Sequence, residues 1–418
     1  MKKIQTLLLL FLSITLFSQE KLSLETCYSL LNKNYPLAKQ NALLANQNEL
    51  DLASIATKKL PKIELAAQTT YQSDVTQMPI SIPNLTVEPP NKDQYKATLS
   101  INQLIYNGGL IDATTKVSEA NLKAQQKQVE VNLYQLKKQV NSYYFSILLF
   151  NEKLDLLTSK ETLLKAKLKE VHAGIKFGVL LPTSDSVLEA ELLKIKQQFE
   201  EINLTKNSLI KSLSQLIGAP ISTTSEFETP IVLTDFNSNI TRPELELFEL
   251  KKESIKTSEN LISKQNVPNL MGFATGGYGN PGLNMLDNSF QTFYQVGIKL
   301  NWNIFDWNSN KKQRESLLIN KDIVTNEQEV FQLNTTIELQ QKQTDINKFS
   351  SLINSDKEII ELRKKILKSA ESQLKNGVIT SSAYITEITN LFEAENSLST
   401  HKIEMLLAKA NYNIIKGI

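Results

Sequence analysis

The 418-residue sequence has very few cysteine and histidine residues, the types that commonly form disulfides, metal sites and catalytic sites. Cys27 is its only cysteine, which excludes a disulfide within the chain and a cysteine-based metal site and predicts a buried thiol. Histidine occurs only at His172 and His401, outside any metal-spacing cluster, and no Ser/His/Asp set or phosphate-binding loop is present. The sequence therefore predicts a protein that is not an enzyme and that holds no metal or cofactor.

Glycine and proline are also scarce, with 13 and 12 residues clustered at a few positions, which indicates few, long structural elements. No apolar run approaches the ~20 residues that a membrane-spanning helix needs. The N-terminal segment has Lys2 and Lys3, an apolar run and then Ser18, a pattern typical of a secretory signal peptide over residues 1–18. Because 46 basic residues nearly balance 44 acidic ones, nucleic acid is not expected as a partner.

The rest of the chain is a duplication. "YKATLSINQLIYNG" (95–108) aligns with "YQVGIKLNWNIFDW" (294–307), and "KFGVLL" (176–181) aligns with "KNGVIT" (375–380), both at an offset of 199 residues. The interval between the strand and the glycine turn therefore has the same length in both copies. Most of that interval has helical spacing, and about 65 residues at 1.5 Å each give a rod of about 100 Å.

Each copy is predicted to run helix, strand, loop, strand, long helix, glycine turn and return helix, so the fold is mainly α with a small β part. Repeat 1 (19–216) has strands at about 62–76 and 93–106, a long helix at about 109–173, a tip at 174–183 and a return helix at 184–216. A linker (217–240) leads to repeat 2 (241–418), with strands at about 269–279 and 292–305, a long helix at about 309–374, a tip at 375–381 and a return helix at 382–415. Apolar residues from Leu133 to Leu157 step by 3 and 4, as in a heptad seam.

The strands are predicted to have one apolar face, since every second residue from Tyr294 to Ile304 is apolar. Lipid can cover such a face only if the sheet closes and leaves no edge. Four strands are too few for a membrane barrel, which has at least about eight, so closure across subunits is expected. Seven aromatic residues are candidates for membrane-interface belts: Tyr71, Tyr95, Tyr106, Tyr294, Trp302, Phe305 and Trp307.

Two other interpretations stay open on these patterns. The strands could pack on the core of a soluble domain, and the heptad spacing alone would also fit a two-stranded coiled coil. The second possibility predicts an exported tether or adhesin without channel activity.

The duplicated unit, with "LPKIEL", "INQLIYNGG", "LNWNIFDW" and "FGVLLPTSDSVLEAE", resembles the TolC-like outer-membrane efflux proteins over essentially the whole mature chain. The resemblance implies an outer-membrane homotrimer with a long periplasmic portion, in which four strands per chain form a twelve-stranded transmembrane β-barrel and the helices form an α-barrel tunnel. It implies a passive exit duct of a tripartite efflux pump or a type I protein-secretion system. The expected partners are the lipid bilayer, a periplasmic adaptor protein and an inner-membrane pump.

In this family the two glycine turns are the periplasmic tips that meet the adaptor. By position these are Gly178, Val179 and Leu180 in repeat 1 and Gly377, Val378 and Ile379 in repeat 2. Both glycines are also expected to end a helix with positive φ. The family often narrows its tunnel with acidic residues after the second turn. The candidates here are Glu387, one position away from the expected one, and Asp185 after the first turn, with a solvated helix face as the alternative.

Overall fold

The computed structural model describes residues 21–77 and 88–418, so the predicted signal peptide (1–18) lies outside the described part. The elements are, in chain order, α1 (Leu24–Asn34), α2 (Gln40–Thr57), β1 (Lys62–Tyr71), β2 (Asp93–Tyr106), α3 (Leu110–Gln135), α4 (Lys137–Lys176), α5 (Ser184–Ile217), α6 (Pro243–Ser263), β3 (Asn269–Asn280), β4 (Gln291–Asn301), α7 (Ser309–Lys375) and α8 (Ser381–Lys416). Among these residues, no helix carries a stretch both long and apolar enough to cross a bilayer.

The chain divides into two compact units. The helical unit comprises residues 21–40, 129–245 and 329–418, and the sheet unit comprises residues 41–77, 88–128 and 246–328. The mainly helical fold with a small antiparallel sheet agrees with the prediction from the sequence.

The two long helices differ in continuity. α7 runs unbroken over 67 residues, a contour length of about 100 Å. Its counterpart in repeat 1 is interrupted at Leu136, so the single helix predicted at 109–173 is two helices, α3 and α4. Leu136 keeps a helical backbone (φ −68°, ψ −18°), but its N–H donates to Leu133 O at 3.2 Å and its carbonyl accepts from Gln139 N at 3.0 Å. These i→i+3 bonds tighten the backbone locally between α3 and α4.

The four strands form one antiparallel sheet in the order β1-β2-β3-β4. β1 ends at Tyr71, short of the predicted 76, and the Asp74 carboxylate accepts from Val75 N at 2.9 Å, a local bond that competes with strand pairing. β4 ends at Asn301, short of the predicted 305. Asn301 pairs with the first residue of β3, Asn269, so the residues after it have no partner in the ladder.

The helical unit has a continuous apolar core. Around α1, α4 and α5, Leu31, Ile147 and Leu213 are fully buried, and the Tyr144 hydroxyl donates to a backbone carbonyl at 2.7 Å. Cys27 lies in this cluster, where burial raises its pKa to about 12. A second cluster contains Leu157, Leu164 and Val171 of α4 and Leu188 and Ile195 of α5, spaced by seven residues. The thiol is buried as predicted, and Val140, Ile147 and Leu157 of the predicted seam are buried as well.

Candidate functional site

The sheet has one apolar and one polar face. Directly paired residues point to the same side of a sheet, so the register places the side chains of all four strands. The apolar face carries Ile63, Leu65, Leu99, Ile101, Tyr294, Val296, Ile298 and Leu300. The polar face carries Glu64, Gln68, Lys96, Ser100, Thr275, Gln295 and Lys299. The apolar side chains are exposed in the single chain, as shown by Val296 at 71%.

The predicted aromatic residues divide between the two ends of the sheet. Tyr71 and Tyr95 lie near the loops that join β1 to β2 and β3 to β4, whereas Tyr294 lies four residues further in, at the level of Leu99. Tyr106, Trp302, Phe305 and Trp307 lie at the other end, where the chain enters helices. Six of the seven residues thus form two groups at opposite ends of the sheet, and their role as membrane-interface belts remains a prediction.

Two aromatic residues that the sequence analysis did not single out join the loop-end group. The ring of Phe290 lies 6.2 Å from that of Tyr95 and 5.4 Å from that of Tyr278, measured between centroids. Tyr278 belongs to the glycine-rich strand β3, whose alternation is ambiguous in the sequence. Its pairing with Ala97 of β2 places it on the apolar face.

Two phenylalanine–glycine pairs join β3 to β4 on the polar face. Phe273 pairs with Gly297, and Phe293 pairs with Gly277. A Cβ atom built on Gly297 would lie 2.8 Å from the Phe273 ring, and one on Gly277 would lie 2.3 Å from the Phe293 ring. Each ring thus covers a glycine of the facing strand, a contact that pins strand register. The Lys96 ammonium lies 5.1 Å from the centroid of the Phe293 ring.

The turns that lead from sheet to helix have two consecutive residues of positive φ in both repeats, but the residues differ. Gly108 and Gly109 have φ values of 63° and 80°, and Trp307 and Asn308, 199 positions later, have 55° and 61°. Gly108 is required, since a Cβ there would lie 1.9 Å from the Val267 side chain. Trp307 carries a large side chain in a conformation that costs about 1–3 kcal/mol for a residue other than glycine.

The two predicted tips are Schellman motifs of the same geometry. Val179 N donates to Gly174 O at 2.9 Å and Gly178 N to Ile175 O at 3.0 Å. In repeat 2, Val378 N donates to Gln373 O at 2.8 Å and Gly377 N to Leu374 O at 3.0 Å. Gly178 and Gly377 have φ values of 72° and 69°, which confirms the expected helix caps.

The structure brings the two tips together. A Cβ on Gly377 would lie 3.5 Å from the carbonyl oxygen of Val179. Val179 and Val378 are 57% and 71% exposed, whereas Leu180 and Ile379 turn inward and pack on the second core cluster. Two further exposed apolar residues, Phe177 and Leu181, flank the first turn. Sequence reasoning missed this pair because it considered only positions shared by both repeats.

A cavity of about 750 Å³ lies beside the tips, lined by α4 and α7. Its wall includes Lys167, whose side chain is only 6% exposed and whose ammonium lies 2.6 Å from Glu170 and 2.8 Å from Glu371. Burial acts to lower the pKa of Lys167, but the hydrogen bonds that its ammonium donates to the two carboxylates outweigh this effect and raise that pKa. The Lys167 ammonium also lies 5.4 Å from the centroid of the Tyr384 ring on α8.

Both candidate constriction residues have partners in the chain. Asp185 accepts from Ser186 N at 2.7 Å, and its other oxygen lies 3.6 Å from Nε2 of His172. Glu387 lies 3.5 Å from the Arg363 guanidinium. Both carboxylates are half-buried in the single chain. Their role as a constriction remains a prediction.

Residues 29–216 match the model of a protein family described as outer membrane efflux protein. No curated protein matches the chain.

The fold is similar to that of solved outer-membrane channels. The Campylobacter jejuni CmeC outer membrane channel is 15% identical, with a TM-score of 0.66 over 94% of this chain and 85% of that one. The Vibrio cholerae outer membrane protein VceC is 14% identical, with a TM-score of 0.67, and the match covers 94% of this chain and 96% of VceC. The Neisseria gonorrhoeae MtrE outer membrane channel, solved in its open state, is 13% identical, with a TM-score of 0.66, and the match covers 94% of this chain and 88% of MtrE.

Proposed function

We propose that the chain is a TolC-like outer membrane efflux protein, the family whose model matches residues 29–216, and that it is the outer-membrane exit duct of a tripartite efflux pump. The match to an efflux-protein family supports a role that is not enzymatic. In the proposed assembly, an inner-membrane pump supplies the energy and a periplasmic adaptor joins it to the duct. Cargo then crosses the outer membrane passively.

The observation that carries the proposal is a four-stranded sheet with two unpaired edges and two chemically different faces. β1 and β4 run in opposite directions at the two edges, so β4 of one copy can pair antiparallel with β1 of the next. Three copies would close a barrel of twelve strands, which leaves no edge in the lipid. The apolar face would then contact lipid, and the polar face, with Lys299 and Gln295, would line a wet lumen.

The spacing of the aromatic residues supports this placement. Tyr95 and Tyr106 lie near opposite ends of β2, about 36 Å apart along an extended strand at ~3.3 Å per residue. At the ~45° tilt of strands in membrane barrels, this corresponds to a height of about 25 Å, the height of the apolar band in such barrels.

The helices offer apolar surface for a second copy. Ile323, Val330 and Ile337 of α7 are spaced by seven residues and exposed in the single chain. A heptad-spaced apolar stripe is the surface that packs helix against helix in coiled assemblies. We assign this stripe to contacts that complete the α-barrel of a homotrimer.

The tips are the proposed contact with the adaptor. Val179 and Val378 are exposed beside each other at the only two tight turns between long helices in the described chain. Exposed apolar groups grouped at one place are typical of a docking surface. Asp185 and Glu387 follow these turns and are the proposed constriction of the tunnel.

Single-channel recording on purified full-length protein tests the proposal. The protein is extracted in detergent, its oligomeric state is measured by light scattering, and it is inserted into a planar bilayer. A trimer with discrete, long-lived conductance steps is the expected result. A folded monomer without conductance would contradict the duct and favour the tether.

A further inference from the structure

The β4–α7 turn contains a tryptophan that the backbone does not require. Gly108 and Gly109 build the same left-handed turn in repeat 1 without strain, whereas repeat 2 uses Trp307 and Asn308. A tryptophan kept in a conformation that favours glycine indicates a role for its side chain.

Packing within the chain does not supply that role. The Trp307 side chain is 79% exposed, and its ring packs against that of Phe305 at 4.8 Å between centroids. By contrast, the neighbouring Trp302 indole donates to Asn266 O at 3.1 Å. Trp307 therefore presents a large amphipathic surface outward.

A basic group lies next to this surface. Trp307, Ser309 and Lys312 line a shallow cavity of about 450 Å³ together with Asp306, Gln313 and Ser316. Lys312 is exposed, and none of the ion pairs formed by the described residues includes it. The Asp306 carboxylate is already engaged by Asn310 N at 2.9 Å and the Asn266 amide at 2.6 Å.

Two polar residues that line the cavity, Ser309 and Lys312, have apolar counterparts in repeat 1. The positions 199 residues before Ser309 and Lys312 are Leu110 and Ala113, which offer neither a hydroxyl nor a charge. The duplication thus kept the turn and changed its chemistry on one side.

We propose that Trp307 and Lys312 form a binding site for the phosphate headgroup of a membrane phospholipid, one site per chain. The inference rests on the proposed function, because it needs the sheet to lie in a bilayer. An indole is favoured at the level of lipid headgroups, and a lysine ammonium binds a phosphate through charge-assisted hydrogen bonds. Phe305 and the apolar residues that continue the face of β4, Trp302 and Ile304, would contact the upper acyl chain.

The chain is suited to a direct test, because Trp302 and Trp307 are its only tryptophans. In the Trp302→Phe variant, all tryptophan emission comes from Trp307. In the Trp307→Gly variant, it all comes from Trp302, and position 307 carries the glycine found at the equivalent position of repeat 1. Full-length variants are reconstituted into phosphatidylglycerol or phosphatidylcholine vesicles whose acyl chains carry bromine close to the headgroup. We expect Trp307 emission to fall at least twofold in brominated vesicles, more strongly with phosphatidylglycerol.

The two lysines at the turn provide a matched pair of variants. Lys312→Ala in the Trp302→Phe background is expected to remove the preference for phosphatidylglycerol. Lys311→Ala is the control, since Lys311 lies 3.9 Å from Glu315 and does not line the cavity. Equal quenching of Trp307 by brominated phosphatidylglycerol and phosphatidylcholine, with both lysines intact, would overturn the proposed phosphate site.

Further outcomes separate the possible occupants. Trp307 emission that is shielded from water but unquenched by brominated lipid would place a second copy on this surface and overturn the site. Loss of quenching on addition of inorganic phosphate would indicate a site for free phosphate instead. If Trp302 in the Trp307→Gly variant is also unquenched, the sheet is not in the bilayer and the proposed function fails as well.

Discussion

The ammonium of Lys167 on α4 lies 2.8 Å from the carboxylate of Glu371 on α7, and this contact joins the two repeats beside their glycine turns. Lys167 is almost fully buried, while Glu371 is about half exposed. The pair therefore connects a buried cation to a carboxylate that stays solvated.

Glu371→Gln is expected to lower the free energy of unfolding by about 1 kcal/mol, since it weakens a hydrogen bond to a buried charge while Glu170 still compensates that charge. The folded pKa of Lys167 is raised, so its contribution is present below the ordinary lysine pKa of about 10.4 and is lost as pH rises through the folded pKa. Thermal unfolding against pH, compared with Lys167→Met, measures both effects. A difference between wild type and Lys167→Met that grows above pH 10.4 would contradict this sign.

Gly178→Val with Gly377→Val is expected to abolish efflux while trimers still reach the membrane. A Cβ at either position meets nothing closer than 3.5 Å, so the variant changes the proposed docking surface and adds backbone strain of about 1–2 kcal/mol per site. The two measurements are the accumulation in cells of a compound that the wild-type protein exports and the trimer content of membranes. Gly109→Val is the control, because Gly109 has a similar positive φ and open space but lies at the start of α3, away from both glycine turns in the sequence. Normal efflux in the double variant would refute the docking role.

Neutralising Asp185 and Glu387 together is expected to raise single-channel conductance and to reduce cation preference, because fixed carboxylates at a narrow point attract cations and hold their partners in place. Asp185→Asn with Glu387→Gln is recorded in planar bilayers at two salt concentrations. Glu226→Gln is the control, since that carboxylate pairs with Lys21 away from the tips. Unchanged conductance and selectivity would locate the constriction elsewhere.

Gly297→Val is expected to destabilise the sheet by about 1–3 kcal/mol, because its side chain would collide with the ring of Phe273. Adding Phe273→Ala is expected to recover part of that loss, since the two positions are coupled. The temperature at which the oligomer dissociates on a gel reports the effect. Gly272→Ala is the control, because its Cβ would make an ordinary 3.4 Å contact with Ile105. Strictly additive losses would show that the ring does not fix the register.

The sequence predicted the element order and the apolar face of β4 because alternation and heptad spacing depend on neighbours along the chain. It left the phase of β3 ambiguous, since glycines carry no side chain to assign to a face. That phase depends on the contact of Phe273 with Gly297, which exists only when β4 is paired beside it. The left-handed backbone at Trp307 was missed for a similar reason, although alignment with Gly108 could have indicated it.

The candidate tips followed from sequence because glycine marks a left-handed helix end directly. The partners of the constriction candidates did not, since His172 and Arg363 come from other helices and their proximity is set by packing. The burial of Lys167 could not be predicted from the sequence either, because a lysine in a heptad pattern is usually solvated.

Because the interval between strand and glycine turn is the same in both repeats, the lengths of the two repeats constrain each other. Gly377 lies against Val179, so the two turns finish at a common level. Removing one heptad from α7 alone would shift one turn by about 10 Å relative to the other. We therefore expect shorter or longer relatives of this protein to carry insertions or deletions of equal length in both halves. An engineered change of length must likewise add or remove the same number of residues in each half.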